Sequence, residues 1–383
     1  MTAPTTQPRP SSQLQRLLGF LERDPTNLPL LAEAAGVALD EGDTGRAADL
    51  IDRYAALADL PPPMRNLRAL VAMAEGRHAD AAETFASLLE IESDDPALRF
   101  NLAWCRAMSE DFEAATQLID ETVAAAVPGA AALHVESLHH LGRLEEALAR
   151  GMGYAERLPD DRALMGSLAL VAFDADEADL ARGYADQAGP ANADARAVVG
   201  MLLLGEQHTA EALAAFDEAL AIDPDHGRGL LGRGLALMAA GQGGEAAADL
   251  ARSAERFEDH QGSWMAAGWA ELARGDQAKA REYFERAVNI AEPLADGHAS
   301  LAILDLVEGA RDRARERIEE ALRLDSNSVS AALARSMLLA ADGDPEAAER
   351  VRQTALDTPI GPGGTTIAQA MAGLNLGPRP KAG

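Results

Sequence analysis

The chain has 383 residues, 62 acidic against 34 basic, for a formal charge of -28, and it is 48% apolar but only 4% aromatic. Charge of that sign repels phosphate backbones and anionic lipid over most of the surface, which sets nucleic acid and membrane surfaces aside as partners. A single cysteine, Cys105, excludes an internal disulfide and a thiolate metal cluster, and no run approaches the roughly 18 apolar residues of a membrane span.

The start, "MTAPTTQPRPSSQ", has no basic stretch leading into an apolar one and does not read as a secretory signal. A cytoplasmic, reducing compartment is the expectation. Residues 1–10 are expected to be a disordered tail. Ser11 and Ser12 can cap a short helix over 11–24 that covers the end of whatever follows.

From residue 25 the chain repeats itself. "RALVAMAEGRHADAAETFASLL" from Arg68, "GRGLALMAAGQGGEAAADLARS" from Gly232 and "AAGWAELARGDQAKAREYFERA" from Ala266 share one plan: an apolar helix, a break, and a second helix with alanine five residues on. The breaks fall at Gly42, Gly76, Glu110, Gly142, Asp176, Gln207, Gly241, Gly275, Gly309 and Gly343, in steps of 34, 34, 32, 34, 31, 34, 34, 34 and 34. Ten units at so regular a period mean a stacked array rather than several globular domains. With the break as position 15, position 20 is alanine in all ten units. Position 8 is Ala35, Ala69, Ala103, Val135, Ala169, Gly200, Gly234, Gly268, Ala302 and Ser336, small enough for two helices to approach closely.

These residues resemble the tetratricopeptide repeat family. The resemblance implies an all-α fold, a right-handed superhelical solenoid of helix-turn-helix repeats over 25–360. The family's proline that stops the second helix is matched by Pro25, Pro159 and Pro224. The third and fifth units are short and lack the glycine, and Gly151 and Gly153 are expected to loosen the second helix of the fourth. An irregularity, altered curvature or a hinge, is therefore expected around 125–192. The remainder, 361–383, reads as a flexible tail with a short helix over 366–376; its "GPGGTT" lacks the lysine of a phosphate loop.

The family's first helices line a concave surface, chiefly through positions 2, 5, 9, 12 and 13. Trp264 holds position 4, the family's usual tryptophan, and is expected in the core. Position 9 is commonly polar in the family, yet here it reads Gly36, Leu70, Trp104, Glu136, Leu170, Met201, Leu235, Trp269, Ile303 and Met337. Position 12 adds Leu39, Met73, Phe173, Leu204, Met238, Leu272 and Leu306, and position 5 adds Phe100, Leu231, Met265 and Leu333. Charged residues are nearly absent from these positions, so the acids are expected on the second helices and the convex side. An open apolar row of this extent exceeds what soluble monomers usually expose. A partner's apolar or amphipathic helix, self-burial, or the chain's own tail would each cover it. The adaptable thioethers favour the first. The family's carboxylate clamp is not matched, since Asn66, Asn101 and Arg228 are scattered and the lysines are missing.

"HVESLHH" places Glu136, His139 and His140 at i, i+3, i+4 spacing, a pattern open to polar docking, to metal binding, or to a solvated patch. Cys105 reads as a buried filler. No nucleophile has a recognisable context, and no catalytic site, cofactor or resident metal is expected. The leading reading is a non-enzymatic interaction scaffold or adaptor, chaperone-like in its groove, for a protein or peptide partner. Self-association into a homo-oligomer through the groove or end helices, and a metal site around His139 and His140, stand as alternatives.

Overall fold

The computed structural model describes residues 12–290, 294–357, 359–360 and 365–366. They are helical almost throughout, and the chain separates into two compact units, residues 1–188 and 189–383.

The first unit opens with α1 (Ser12–Leu21), which buries Leu14, Leu17 and Leu21 against α2 (Leu28–Asp40). Five pairs follow: α2 with α3 (Thr44–Ala55), α4 (Pro62–Ala74) with α5 (His78–Leu89), and α6 (Pro96–Met108) with α7 (Phe112–Leu118) and α8 (Glu121–Ala126); then α9 (Ala130–His140) with α10 (Leu144–Ala155), and α11 (Arg162–Asp174) with α12 (Ala178–Ala188). The second unit holds five more: α13 (Ala193–Gly205) with α14 (Thr209–Ile222), α15 (Gly227–Ala239) with α16 (Gly243–Arg256), and α17 (Gln261–Arg274) with α18 (Gln277–Asn289); then α19 (Ala295–Val307) with α20 (Arg311–Leu324), and α21 (Val329–Ala341) with α22 (Pro345–Leu356). Within each unit successive helices pack on one another, as a solenoid requires. Beyond α22, β1 (Pro359–Ile360) pairs antiparallel with β2 (Thr365–Thr366).

The pairs form where the sequence places their turns. All ten break residues lie in the left-handed region, with φ between 60 and 91°, the glycines at no steric cost and Glu110, Asp176 and Gln207 in spite of their side chains. After the turn an aspartate often caps the second helix: Asp43, Asp111, Asp276 and Asp344 each accept a backbone N–H three residues on.

The small residues at positions 8 and 20 are all buried. A Cβ added to Gly200, Gly234 or Gly268 would stand 2.6 Å from Phe216, 2.4 Å from Leu250 or 2.4 Å from Phe284. A large side chain on the second helix thus fills the space the first helix leaves.

Two expectations need correction, and a third lies almost wholly outside the described residues. In the third unit the second helix is not merely short: Ile119 and Asp120 are extended and divide it into α7 and α8, the latter capped by Asp120 through Thr122 and Val123. Gly151 does not loosen α10, which runs unbroken through it; a Cβ there would meet Leu168 at 2.5 Å and Val135 at 3.0 Å, so this glycine permits close packing. The short helix expected over 366–376 begins on Thr366, which lies in β2; 367–376 lie outside the described residues, as do 1–10.

Candidate functional site

The two tryptophans of α17 stand five residues apart, about 500° of helical turn, and face different surroundings. Trp264 is 4% exposed; its indole N–H donates to the Glu258 carbonyl at 2.8 Å and the Arg286 guanidinium lies 4.7 Å over its ring. Trp269 is half-buried, its ring edge-on to Phe284 at 5.3 Å, beside the cluster that Phe284 forms with Leu301 and Leu304.

The rest of the apolar row resembles Trp269. In the first unit Leu70, Met73, Phe100, Leu170 and Phe173 are partly buried and Trp104 is 37% exposed, tilted against Phe100 at 6.3 Å. In the second unit Met201, Leu204, Leu235, Met238, Met265, Ile303 and Leu306 are partly buried and Met337 is 42% exposed. None of these residues is fully buried, and most of them also pack against the buried clusters.

A cavity of about 640 Å³ lies within the second unit against Met265 and Trp269 of α17. Ile290 and Leu294 complete its apolar wall, Asp296, Ser300 and Ser330 contribute from α19 and α21, and Asp259, His260, Gln261 and Gly262 border the start of α17. Beside it, Met265, Trp269 and Leu272 of α17 pack with Leu301 and Leu304 of α19 in one cluster. Asp296 is steadied by the Ser328 hydroxyl, which donates to Oδ1 at 3.2 Å, while Ser300 donates to the Asp296 carbonyl at 2.8 Å.

Asp259 and Asp296 correct the expectation that acids avoid this surface. Asp296 occupies position 2, where the chain also carries Asp194 and Arg228, so reading that position alone would have shown the charge. Asp259 lies between repeats, where position counting gives no signal.

Glu136, His139 and His140 do not converge on one point. Glu136 accepts from the Ser167 hydroxyl at 2.7 Å, His139 Nε2 meets Asp174 at 2.7 Å, and His140 stacks on Phe112 at 4.3 Å. Helical spacing put them on one helix, but two bind toward α11 and the third turns to α7. Among the described residues no group of three or more His, Cys, Asp and Glu is placed to hold a metal ion. The neighbouring His134 is buried with Nδ1 2.8 Å from the Tyr154 hydroxyl, and burial pushes its imidazole down to about 4. Cys105 is fully buried, and burial pushes its thiol up to about 11, so it fills space as a neutral group.

Two tetratricopeptide repeat family models match the chain, one over residues 72–137 and the other over 32–96, 199–256, 231–296 and 300–364. Neither reaches 138–198, which contains α10 to α12 and the shortened fifth unit. No curated protein matches by sequence. Among solved structures, an IFIT1 monomeric mutant with Gppp-AAAA is similar at TM-score 0.52 and 14% identity, over 89% of this chain and 93% of that one. The human IFIT1 dimer with PPP-AAAA is similar at 0.50 and 14%, over 90% and 93%. PilF of Pseudomonas aeruginosa is similar at 0.45 and 19%, over 53% and 94%. At these identities the likeness concerns fold alone. Among the described residues no helix is long and apolar enough to cross a membrane.

Proposed function

The chain belongs to the tetratricopeptide repeat family, whose members serve as scaffolds for binding, and from that premise we propose that it captures an apolar or amphipathic segment of a partner protein on its first helices. The observation that carries this reading is that the large residues of the row named above all stay partly accessible, with Trp104 37% and Met337 42% exposed. Seam residues on the same helices are buried, so the row is not a second core. Tryptophan and methionine supply large contact area and adaptable shape, the properties of surfaces that receive amphipathic helices.

The IFIT1 structures hold Gppp-AAAA and PPP-AAAA, and the charge of this chain speaks against ligands of that kind. The formal charge is -28, and among the described residues the second unit's cavity is bordered by carboxylates and by no Lys or Arg. A protein segment faces no such repulsion.

The test uses a fluorescein-labelled amphipathic helix of about 18 residues built from Leu and Gln, long enough to hold its helix on binding. Anisotropy titration should show binding to the wild type that weakens about tenfold in Trp104→Ser with Trp269→Ser, at unchanged circular dichroism. Equal binding by wild type and variant would remove the row from the site. Light scattering of the wild type across concentration separates partner capture from self-association, which would appear as a growing mass.

A further inference from the structure

Resting on that reading, we propose that the second unit's cavity selects an arginine-bearing amphipathic segment, with the guanidinium seated between Trp269 and the carboxylates of Asp259 and Asp296. Three features of the cavity converge. Its wall of Met265, Trp269, Ile290 and Leu294 accepts an aliphatic stem. Two exposed carboxylates stand at the rim of that wall, neither forming an ion pair among the described residues, and Asp296 is already oriented by Ser328. Among the described residues no Lys or Arg lines the space.

Charge complementarity decides the occupant. A purely apolar segment gains nothing from the exposed carboxylates of Asp259 and Asp296 and crowds their water. An acidic segment adds repulsion to that cost. A guanidinium satisfies both carboxylates while its flat face lies on the indole, and it is more weakly hydrated than an ammonium, so it gives up less on entry. The volume of about 640 Å³ accommodates an arginine side chain together with a neighbouring aliphatic one.

The experiment compares three labelled helices of equal length, Leu with Arg, Leu with Gln and Leu with Glu, on the full chain at physiological salt. The Leu/Arg helix is expected to bind about tenfold more tightly than Leu/Gln, and Asp259→Asn with Asp296→Asn should bring the two together. A control variant, Glu316→Gln with Glu319→Gln on the exposed face of α20, removes the same charge and should change binding less than about twofold. Equal loss in the control variant would mean diffuse attraction to an acidic protein and overturn the proposal. If Leu/Gln binds as well as Leu/Arg and both depend on Trp269, the apolar row stands and the arginine pocket falls. If no helix binds, both fall.

Discussion

The first helices carry two apolar faces, one turned toward the second helices and the other outward, and they differ in what each residue is for. The inner face is small where helices touch, at Ala35 or Gly268, and receives a large ring or branched chain from the partner helix, as at Phe284. The outer face is large at most positions, Gly36 and Glu136 excepted, and stays partly accessible. On the inner face bulk is a defect; on the outer face it is the content. Trp264 and Trp269, on one helix, give the contrast at equal residue type.

Replacing those two tryptophans should therefore separate the faces most strongly. Trp264→Ala removes a buried ring, its hydrogen bond to Glu258 and its stacking with Arg286, and is expected to cost about 3–5 kcal/mol in urea unfolding. Trp269→Ala gives up only one half-covered side and should cost about 1–2 kcal/mol. Equal losses would show that the outer row is core, and the binding reading would lose its foundation.

The inner face also tolerates a polar pair, His134 with Tyr154, and pH tests it. His134 titrates near 6.5 when unfolded and near 4 when folded, so folding opposes its protonation. Its neutral form contributes full stability above about pH 6.5. That contribution declines as pH falls and is lost below about 4, about 3 kcal/mol in all for a shift of this size. Between pH 7 and 4 the wild type should lose about that much more stability than His134→Gln. Parallel curves would mean that the imidazole is reached by water in the folded chain.

The contrast also explains how much the sequence discloses. Period, break and small-residue seam are local and repeated ten times, so the fold was legible: each break does lie in the left-handed region, and each seam residue is buried. The large residues of the row were legible too, because they depart from the family at a fixed position. What escaped were pairings across elements. Gly151 looks like a helix weakener until Leu168 is seen against it, and the histidines share a helix but answer to α11 and α7. The cavity draws its lining from α17, α19, α21 and the residues between them, which no single-helix pattern encodes.

Glycine offers a smaller but cleaner probe, since the same change falls on both faces. Gly268→Ala at position 8 drives a methyl to 2.4 Å from Phe284 and should cost about 1–3 kcal/mol despite the gain in helix propensity. Gly36→Ala at position 9 meets nothing within 4 Å, so propensity acts alone and should raise stability by about 0.5–1 kcal/mol. Same-sign effects would abolish the distinction between the faces.

The smallest effect belongs to the turns that join the faces. Glu110 holds φ at 60° where seven other units use glycine, and the crowding of its Cβ in that conformation costs about 1–2 kcal/mol. Glu110→Gly removes the crowding but widens the unfolded ensemble, which returns part of the gain. The net expectation is an increase of about 0.5–1 kcal/mol in urea unfolding, with Gly76→Ala, at φ 76° in the preceding unit, shifting stability the opposite way by a similar amount. A loss in Glu110→Gly would mean that the glutamate side chain itself stabilises this turn, and the third unit, with its divided second helix, would then differ from the others in its turn as well.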